Sequence, residues 1–359
     1  MGRITVMVTA VGGGGHGEQI LKALKLAETD YRIVAGDMSP RSKGLLEVDQ
    51  AYVLPPASDP SYLSTLLKVC DRHEVAALFH GSEPELKVMS AHRDEIRGRN
   101  VFLPINPAPV INLCMDKVKT CEFLSEKGFN VTPYRRVTSA EDLESFGHLP
   151  AVLKPSIGGG GSANVFLAQT RQELLTFGRH MLSIYEEFIV QEYVGTVDSE
   201  FTVGVLTDMD GELLNSIAVR REIMTSLSNR IRVANRTGRE ELGAVLALST
   251  GVSQGQIGRF PEVTGQCERI ALALGARGAI NIQCRLVGGK VYVFEINPRF
   301  SGTTSLRAMV GYNEPDVLIR KHLLGERIAP HFPYGSGFIM RGLSEALIER
   351  TDFPAAKDL

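Results

Sequence analysis

Cysteine is scarce in this chain and shows no pairing pattern. The five thiols among 359 residues, Cys70, Cys114, Cys121, Cys267 and Cys284, include no C-x-x-C, and an odd number closes no disulfide framework. Cys121, Cys267 and Cys284 fall in apolar periodic segments and read as small core residues, so thiolate metal ligands are not expected. Long apolar runs are missing as well: none approaches the roughly 20 residues of a bilayer span. The first residues read as strand rather than as a charged leader and apolar stretch, and the expectation is a cytoplasmic chain without a membrane partner. Charge of one sign is also lacking, since a formal net charge of −2 exerts no global pull toward nucleic acid. Repeats, low-complexity tracts and the P-loop pattern G-x-x-x-x-G-K-[ST] are absent too. What is left, 43% hydrophobic and 22% charged, is the composition of an ordinary globular protein, and the length implies two or three domains.

From Ile4 to about Asn106, short β-type runs ("ITVMVTAV", "RIVAGD", "VAALFH", "VFLP") alternate with helical stretches such as "EQILKALKLAE" and "PSYLSTLLKVCDRH". That rhythm predicts βα units and a parallel sheet covered on both faces. "INPAPVINLCMDK" breaks it with two prolines, which sets a domain boundary near residue 106. A helix follows, "DKVKTCEFLSEKG", with Asp116 near its N-cap and Gly128 past its end. Beyond it the runs "LPAVLKPS", "EEFIVQEYV", "SEFTVGVLTD" and "LLNSIAVRRE" predict a largely antiparallel sheet, with a hairpin turn at 208–211. The arginines of 220–232 show no strong periodicity and read as a substrate-facing loop, in which Arg220, Arg221, Arg230 and Arg232 either receive an anion or lie solvated. A helix, "PEVTGQCERIALALG", then leads into two strands joined at Gly288 and Gly289.

Those two strands carry the densest chemistry. Residues i and i+2 of a strand share a face, so in "FEINPRFSG" Glu295 and Asn297 point together while Phe294 and Ile296 turn into packing. A hairpin turning at Gly288 and Gly289 sets Gln283 opposite Glu295, and three oxygen-bearing side chains converge. One carboxylate with two amides suits Mg²⁺ already carried by a nucleotide, and Arg299, again two residues on, suits a transferring phosphoryl group. Lys154 ends the apolar strand "AVLKP" and is followed by Ser156, four glycines and Ser162. A lysine beside a loop free of side chains offers a charge and closely approaching N–H groups to phosphate oxygens. Gln191, Glu192, Tyr193 and Val194 leave an apolar strand whose end can read an adenine edge, with Glu200 within reach of ribose hydroxyls.

Taken in order, "MDKVKTCEFLSEKG", "VLKPSIGGGGS", "VQEYV" with "SEFTVGV", "INIQCRL" and "FEINPRFSG" resemble the ATP-grasp superfamily. The nearest likeness is to the branch of the carbamoyl-phosphate-synthase large subunit and the related carboxylate–amine ligases, and it runs from about residue 4 to 325. The resemblance implies an α/β chain, α+β in its C-terminal half: a Rossmann-like domain over 1–106, a small central subdomain over 107–190 and a C-terminal ATP-grasp domain over 191–359. It implies Lys117 and Lys154 on the phosphates of ATP, with the loop from Ser156 through Gly159 and Gly160 to Ser162 closing over them. Gln191, Glu192, Tyr193 and Val194 would meet adenine, Glu192 and Val194 through their backbones, and Glu200 the ribose. Gln283, Glu295 and Asn297 would hold Mg²⁺, two ions with Glu295 bridging and Mn²⁺ as a substitute, while Arg299, Lys154 and Glu295 would carry catalysis. Many members place an acid where this chain has Gln283, and glutamine there matches the carbamoyl-phosphate branch. The partners implied are a small carboxylate and an amine, with a homodimer plausible by likeness alone.

The N-terminal run "VGGGGHGEQILKAL" supports a second reading. Gly12, Gly14 and Gly17 satisfy G-x-G-x-x-G, and Asp37 follows at a strand end, the outline of a dinucleotide site and hence of an oxidoreductase. In the resembled family this turn instead faces a substrate anion, which makes Gly14 and His16 candidate contacts, together with Glu83 in "HGSEPEL". A nucleotide-binding subunit without turnover is the third reading.

Overall fold

A computed structural model describes residues 2–158, 164–225, 227–346, 348 and 352–359. The chain opens with β1 (Ile4–Thr9), α1 (His16–Lys25), β2 (Tyr31–Asp37), β3 (Gln50–Val53), α2 (Tyr62–Arg72), β4 (Ala77–Phe79), α3 (Glu83–Ala91) and the single turn α4 (Arg93–Arg97). The four strands are parallel in the order β3-β2-β1-β4, as the alternation predicts. Successive β1 side chains feed opposite cores: Val6 and Val8 pack on one face and Met7 on the other. The predicted strand at "VFLP" is reduced to one bridge, Phe102 to Ala77, because Pro104 has no N–H to extend the ladder. The fourth strand is β3, Gln50–Val53, which pairs with β2 at the opposite edge of the sheet.

The prolines at 107 and 109 do not form a linker; they start α5 (Ala108–Cys114), where a missing N–H costs nothing. Then comes α6 (Lys117–Glu126), capped by Asp116, whose carboxylate accepts from the N–H groups of Val118 and Lys119. The small sheet that follows uses β5 (Tyr134–Val137), β6 (Ala151–Pro155), β7 (Phe166–Ala168) and β8 (Phe188–Glu192) in the antiparallel order β5-β8-β6-β7. Its helices, α7 (Ala140–Ser145) and α8 (Arg171–Leu182), each begin with a capping box, Ser139 with Asp142 and Thr170 with Glu173.

The largest sheet is built from β9 (Glu200–Thr207), β10 (Leu213–Arg221), β13 (Gly255–Gly258), β14 (Ala279–Val287), β15 (Lys290–Asn297) and β16 (Gly337–Ile339), ordered β15-β14-β9-β10-β13-β16. The turn between β9 and β10 falls at 208–211 as expected, with Gly211 at φ +98°. Helix α9 (Pro261–Leu274), stopped by left-handed Gly275, covers one face, while α10 (Thr304–Met309) and α11 (Glu314–His322) join the N-terminal sheet to the other. Part of the arginine-rich segment is strand and not loop. Residues 229–234 form β11 (Asn229–Ala234), paired antiparallel with β12 (Val245–Ser249); Ile231 packs inward between exposed Arg230 and Arg232, while Val233 is exposed as well.

Candidate functional site

The hairpin of β14 and β15 sets Gln283 opposite Glu295 and Asn281 opposite Asn297. Between Gln283 and Cys284 the register shifts, so that Cys284 faces Val293 and Phe294 is the extra residue of a β-bulge. The bulge corrects one expectation. Phe294 does not turn into packing; it lines an open cleft beside Glu295, and the Lys154 ammonium lies 5.6 Å from its ring centre. Gln283, Glu295, Asn297 and Arg299 line the same cleft.

Lys154, the fourth residue of β6, reaches across from the small sheet and donates from Nζ to the Phe294 carbonyl at 2.7 Å. Burial lowers its pKa to about 8, the Lys117 charge adds to that, and Glu295 opposes it. Lys117 opens α6 and donates from Nζ to the Gly158 carbonyl at 3.2 Å. Its backbone N–H bonds the Ser156 carbonyl at 3.0 Å, and the Ser156 hydroxyl donates to Asp116 Oδ1 at 3.1 Å. The helix N-terminus and the root of the glycine loop are thus joined. Gly159, Gly160 and Ser162 lie outside the described residues.

At the opposite end, Gln191, Glu192, Tyr193 and Val194 line the cleft where β8 ends. The Glu192 N–H donates to the Pro133 carbonyl at 2.8 Å, and Pro133, lacking an N–H, returns nothing to the Glu192 carbonyl. The Glu192 side chain pairs with Arg239 at 2.6 Å, and that of Gln191 donates to Cys121 Sγ at 3.2 Å. Glu200 is buried and fully engaged: Oε1 meets Arg221 at 3.2 Å and the Ser249 hydroxyl at 2.6 Å, and Oε2 meets Arg285 at 3.0 Å. The Arg285 guanidinium also stacks 4.1 Å from the Tyr193 ring centre. Arg285 and Phe294 are among the cleft residues that sequence reasoning passed over. Arg285 shares its strand face with Gln283 and lies opposite Glu200 across β14 and β9, a pairing between strands far apart in the chain.

The remaining candidates divide. Arg221 lines the cleft with its Nε unpartnered, whereas Arg220 alternates outward and donates to the Asp198 carbonyl at 3.0 Å. Glu83, at the start of α3, lines the cleft and accepts from Arg299 at 2.7 Å; Arg299 also donates to Asn297 Oδ1 at 3.0 Å. Gly14 is exposed in its turn at φ +74° and does not line the cleft. His16 packs behind it, its Nε2 3.2 Å from His80 Nδ1, and desolvation followed by the Arg299 charge lowers the pKa of both rings, that of His80 to about 3. The dinucleotide reading loses its parts here. Asp37 accepts from the N–H groups of Gly12 at 3.0 Å and Ser39 at 2.9 Å, and so closes the turn itself. Gly17 is a packing residue, since a Cβ there would lie 2.4 Å from the Thr9 and Ala10 carbonyls.

Residues 114–303 match the profile of the ATP-grasp domain, and 8–103 that of the PylC-like N-terminal domain. The chain belongs to the ATP-grasp ligase family. It is 22% identical over 297 residues to the carbamoyl phosphate synthase large chain of Thermoplasma acidophilum, a match covering 79% of this chain and 26% of that protein. The chain thus spans about a quarter of the length of that curated relative. Among solved structures, the L-amino acid ligase of Bacillus licheniformis superposes with a TM-score of 0.62 at 16% identity, over 90% of this chain and 75% of that one. The biotin carboxylase domain of 2-oxoglutarate carboxylase from Hydrogenobacter thermophilus, solved as a dimer with Mg-ADP and bicarbonate, gives 0.62 at 16% identity, over 91% and 71%. At such identities these likenesses establish the fold. No helix among the described residues is long and apolar enough to cross a membrane.

Proposed function

We propose that the chain is an ADP-forming carboxylate–amine ligase: a carboxylate attacks the γ-phosphate of ATP, an acyl phosphate forms, and an amine displaces phosphate to leave an amide. The observation that carries this is the register placing Gln283 opposite Glu295, with Asn297 beside it and Lys154 and Arg299 on the same cleft. Residues 1–106, 107–190 and 191–359 serve as the three parts of the machine, with ATP between the last two.

The end of β8 takes adenine at the Glu192 carbonyl and the Val194 backbone. Glu200 orders Arg221 and Arg285 and meets the ribose only by exchanging one of its present partners. Lys154 and Lys117 hold phosphate oxygens, and the 156–162 loop covers them. The residues fit Mg²⁺: Gln283, Glu295 and Asn297 present one carboxylate and two amides, the oxygen set of a hard cation that keeps phosphate and water as its other ligands. When bound, Mg²⁺ neutralises charge on the transferring phosphoryl group. Arg299, fixed by Glu83 and Asn297, points a delocalised cation at the same charge. Since no side chain needs to form a covalent bond, positioning and electrostatics supply the catalysis.

Adding hydroxylamine to chain, Mg-ATP and a panel of amino acids tests this directly, because an acyl phosphate is captured as a hydroxamate. Hydroxamate with stoichiometric ADP is the expected result. ATP binding without turnover over the whole panel would instead favour a non-catalytic subunit.

A further inference from the structure

Four carboxylates line the cleft, and three already have work. Glu200 is engaged on both oxygens, Glu192 pairs with Arg239 at the adenine end, and Glu295 belongs to the metal set. Glu83 differs. Its Oε1 accepts from Arg299 at 2.7 Å, while no described residue bonds its Oε2. The side chain keeps 31% of its surface exposed, whereas that of Arg299 keeps 15%.

Its position in the fold is equally specific. In the order β3-β2-β1-β4, the chain moves outward from β1 to β2 and β3, then returns to the other side of β1 as β4. The crevice at the C-terminal ends of β1 and β4 is therefore the topological switch point of the parallel sheet, where such sheets bind ligands. Glu83 follows β4 directly and projects from that crevice onto Arg299, the cation at the site of phosphoryl transfer. Burial raises the Glu83 carboxyl, but the Arg299 guanidinium and then the Lys117 charge outweigh it and hold the group below the usual carboxylate range, so it carries a negative charge at neutral pH; the His80 ring, which also faces it, is neutral there.

We infer that Glu83 Oε2 binds the ammonium form of the nucleophile, holding the incoming nitrogen at the N-terminal sheet's switch point beside Arg299. The substrate class this selects is a primary amine that arrives as a cation. Before attack the ammonium gives one proton to water. The nitrogen lone pair then forms the C–N bond, the C–O bond to phosphate breaks with its electron pair leaving on phosphate, and the second proton leaves the nitrogen for the departing phosphate. Glu83 itself stays ionised throughout.

The inference rests on the acyl-phosphate reading, and the test separates the two. Methylamine, a cation at neutral pH, and hydroxylamine, neutral there and of similar size, compete for the acyl phosphate formed from Mg-ATP and an amino acid, and product masses give the ratio of N-methylamide to hydroxamate. In Glu83→Gln, whose amide oxygen can still accept from Arg299, this ratio should fall at least tenfold, and Glu83→Asp should recover part of it. Wild-type chain that makes hydroxamate but no N-methylamide, or a Glu83→Gln ratio equal to wild type, would overturn the ammonium role while leaving the acyl phosphate standing. Absence of hydroxamate from wild type would remove both.

Discussion

Lys154 on β6 and Phe294 on β15 are joined by one hydrogen bond, Nζ to carbonyl at 2.7 Å, and this bond ties the small sheet to the strand that carries Glu295 and Asn297. The carbonyl is presented by the bulge, so a register irregularity in one sheet positions a charge from another. The pKa of Lys154, lowered to about 8 by burial, falls within reach of ordinary buffers. In the proposed role the protonated Lys154 amine meets phosphate oxygens, so the sign is fixed: nucleotide affinity should hold below pH 8 and fall as pH rises through it, by up to about tenfold per unit. Titration calorimetry with Mg-ADP from pH 7 to 9.5 should show this slope, and Lys154→Met should bind more weakly at pH 7 and lose the slope.

Replacing Glu295 removes the carboxylate from the oxygen set. Glu295→Gln keeps the shape and one acceptor, so the fold should survive while Mg-dependent ADP formation drops by on the order of 100-fold or more. Its Mg²⁺ requirement should shift to higher concentration. Near wild-type turnover with an unchanged Mg²⁺ midpoint would place the ion elsewhere.

How much of this was legible in the sequence follows the range of the interactions. Gln283 opposite Glu295 could be read because the pair closes over a short hairpin whose turn is marked by Gly288 and Gly289. The bulge at Phe294 could not, since the residue that engages its carbonyl and lies over its ring, Lys154, comes from another sheet far away in the sequence. The Glu200 cluster was hidden for the same reason: Arg221 comes from β10 and Arg285 from β14, and nothing local marks either as its partner. The strand at 229–234 was a different kind of miss. Its alternation was present in "RIRVA", but arginines on the outward positions drew attention to charge rather than to period.

Arg307 and Glu314 form an ion pair with neither side chain exposed, at 2.9 Å, and Arg307 also donates to Asn281 Oδ1 on the strand that carries Gln283. Removing one partner leaves a buried charge uncompensated, so Arg307→Met should cost about 3–5 kcal/mol in chemical denaturation. Adding Glu314→Leu should recover much of that loss, because the stranded carboxylate goes with it. Additive losses would mean that the two do not act as a pair.

The glycines of the first turn should separate by role. Gly17→Ala inserts a methyl 2.4 Å from two carbonyls and 2.8 Å from the Gly81 Cα, which only a shift of α1 relieves, so a loss of about 1–3 kcal/mol or more is expected. Gly14→Ala meets the Glu18 carboxylate at 3.9 Å, an ordinary van der Waals contact, and bears only the strain of φ +74°, about 1–2 kcal/mol. NADH fluorescence should be unchanged by the wild-type chain, since Asp37 is held by Gly12 and Ser39.

His16 and His80 make a last, pH-dependent contribution. Both rings are buried, and desolvation, then Arg299, pushes their pKa values down from the ordinary 6.5, to about 3 for His80. The native state therefore binds fewer protons than the unfolded chain below pH 6.5, and stability rises with pH there. The stabilisation is fully present above about pH 6.5 and is lost as pH falls toward 3. From pH 7 to 5 the loss should be about 2 kcal/mol for His80, and His16 adds to it in the same direction. Urea denaturation of wild type and His80→Asn at the two pH values isolates the term, because carboxylates such as Glu85, whose pKa is raised by burial, contribute equally to both. The variant should be less stable at pH 7 and should lose about 2 kcal/mol less than wild type on going to pH 5. Parallel losses would show that His80 reaches its proton in the native state, and with it that the crevice behind Arg299 admits water.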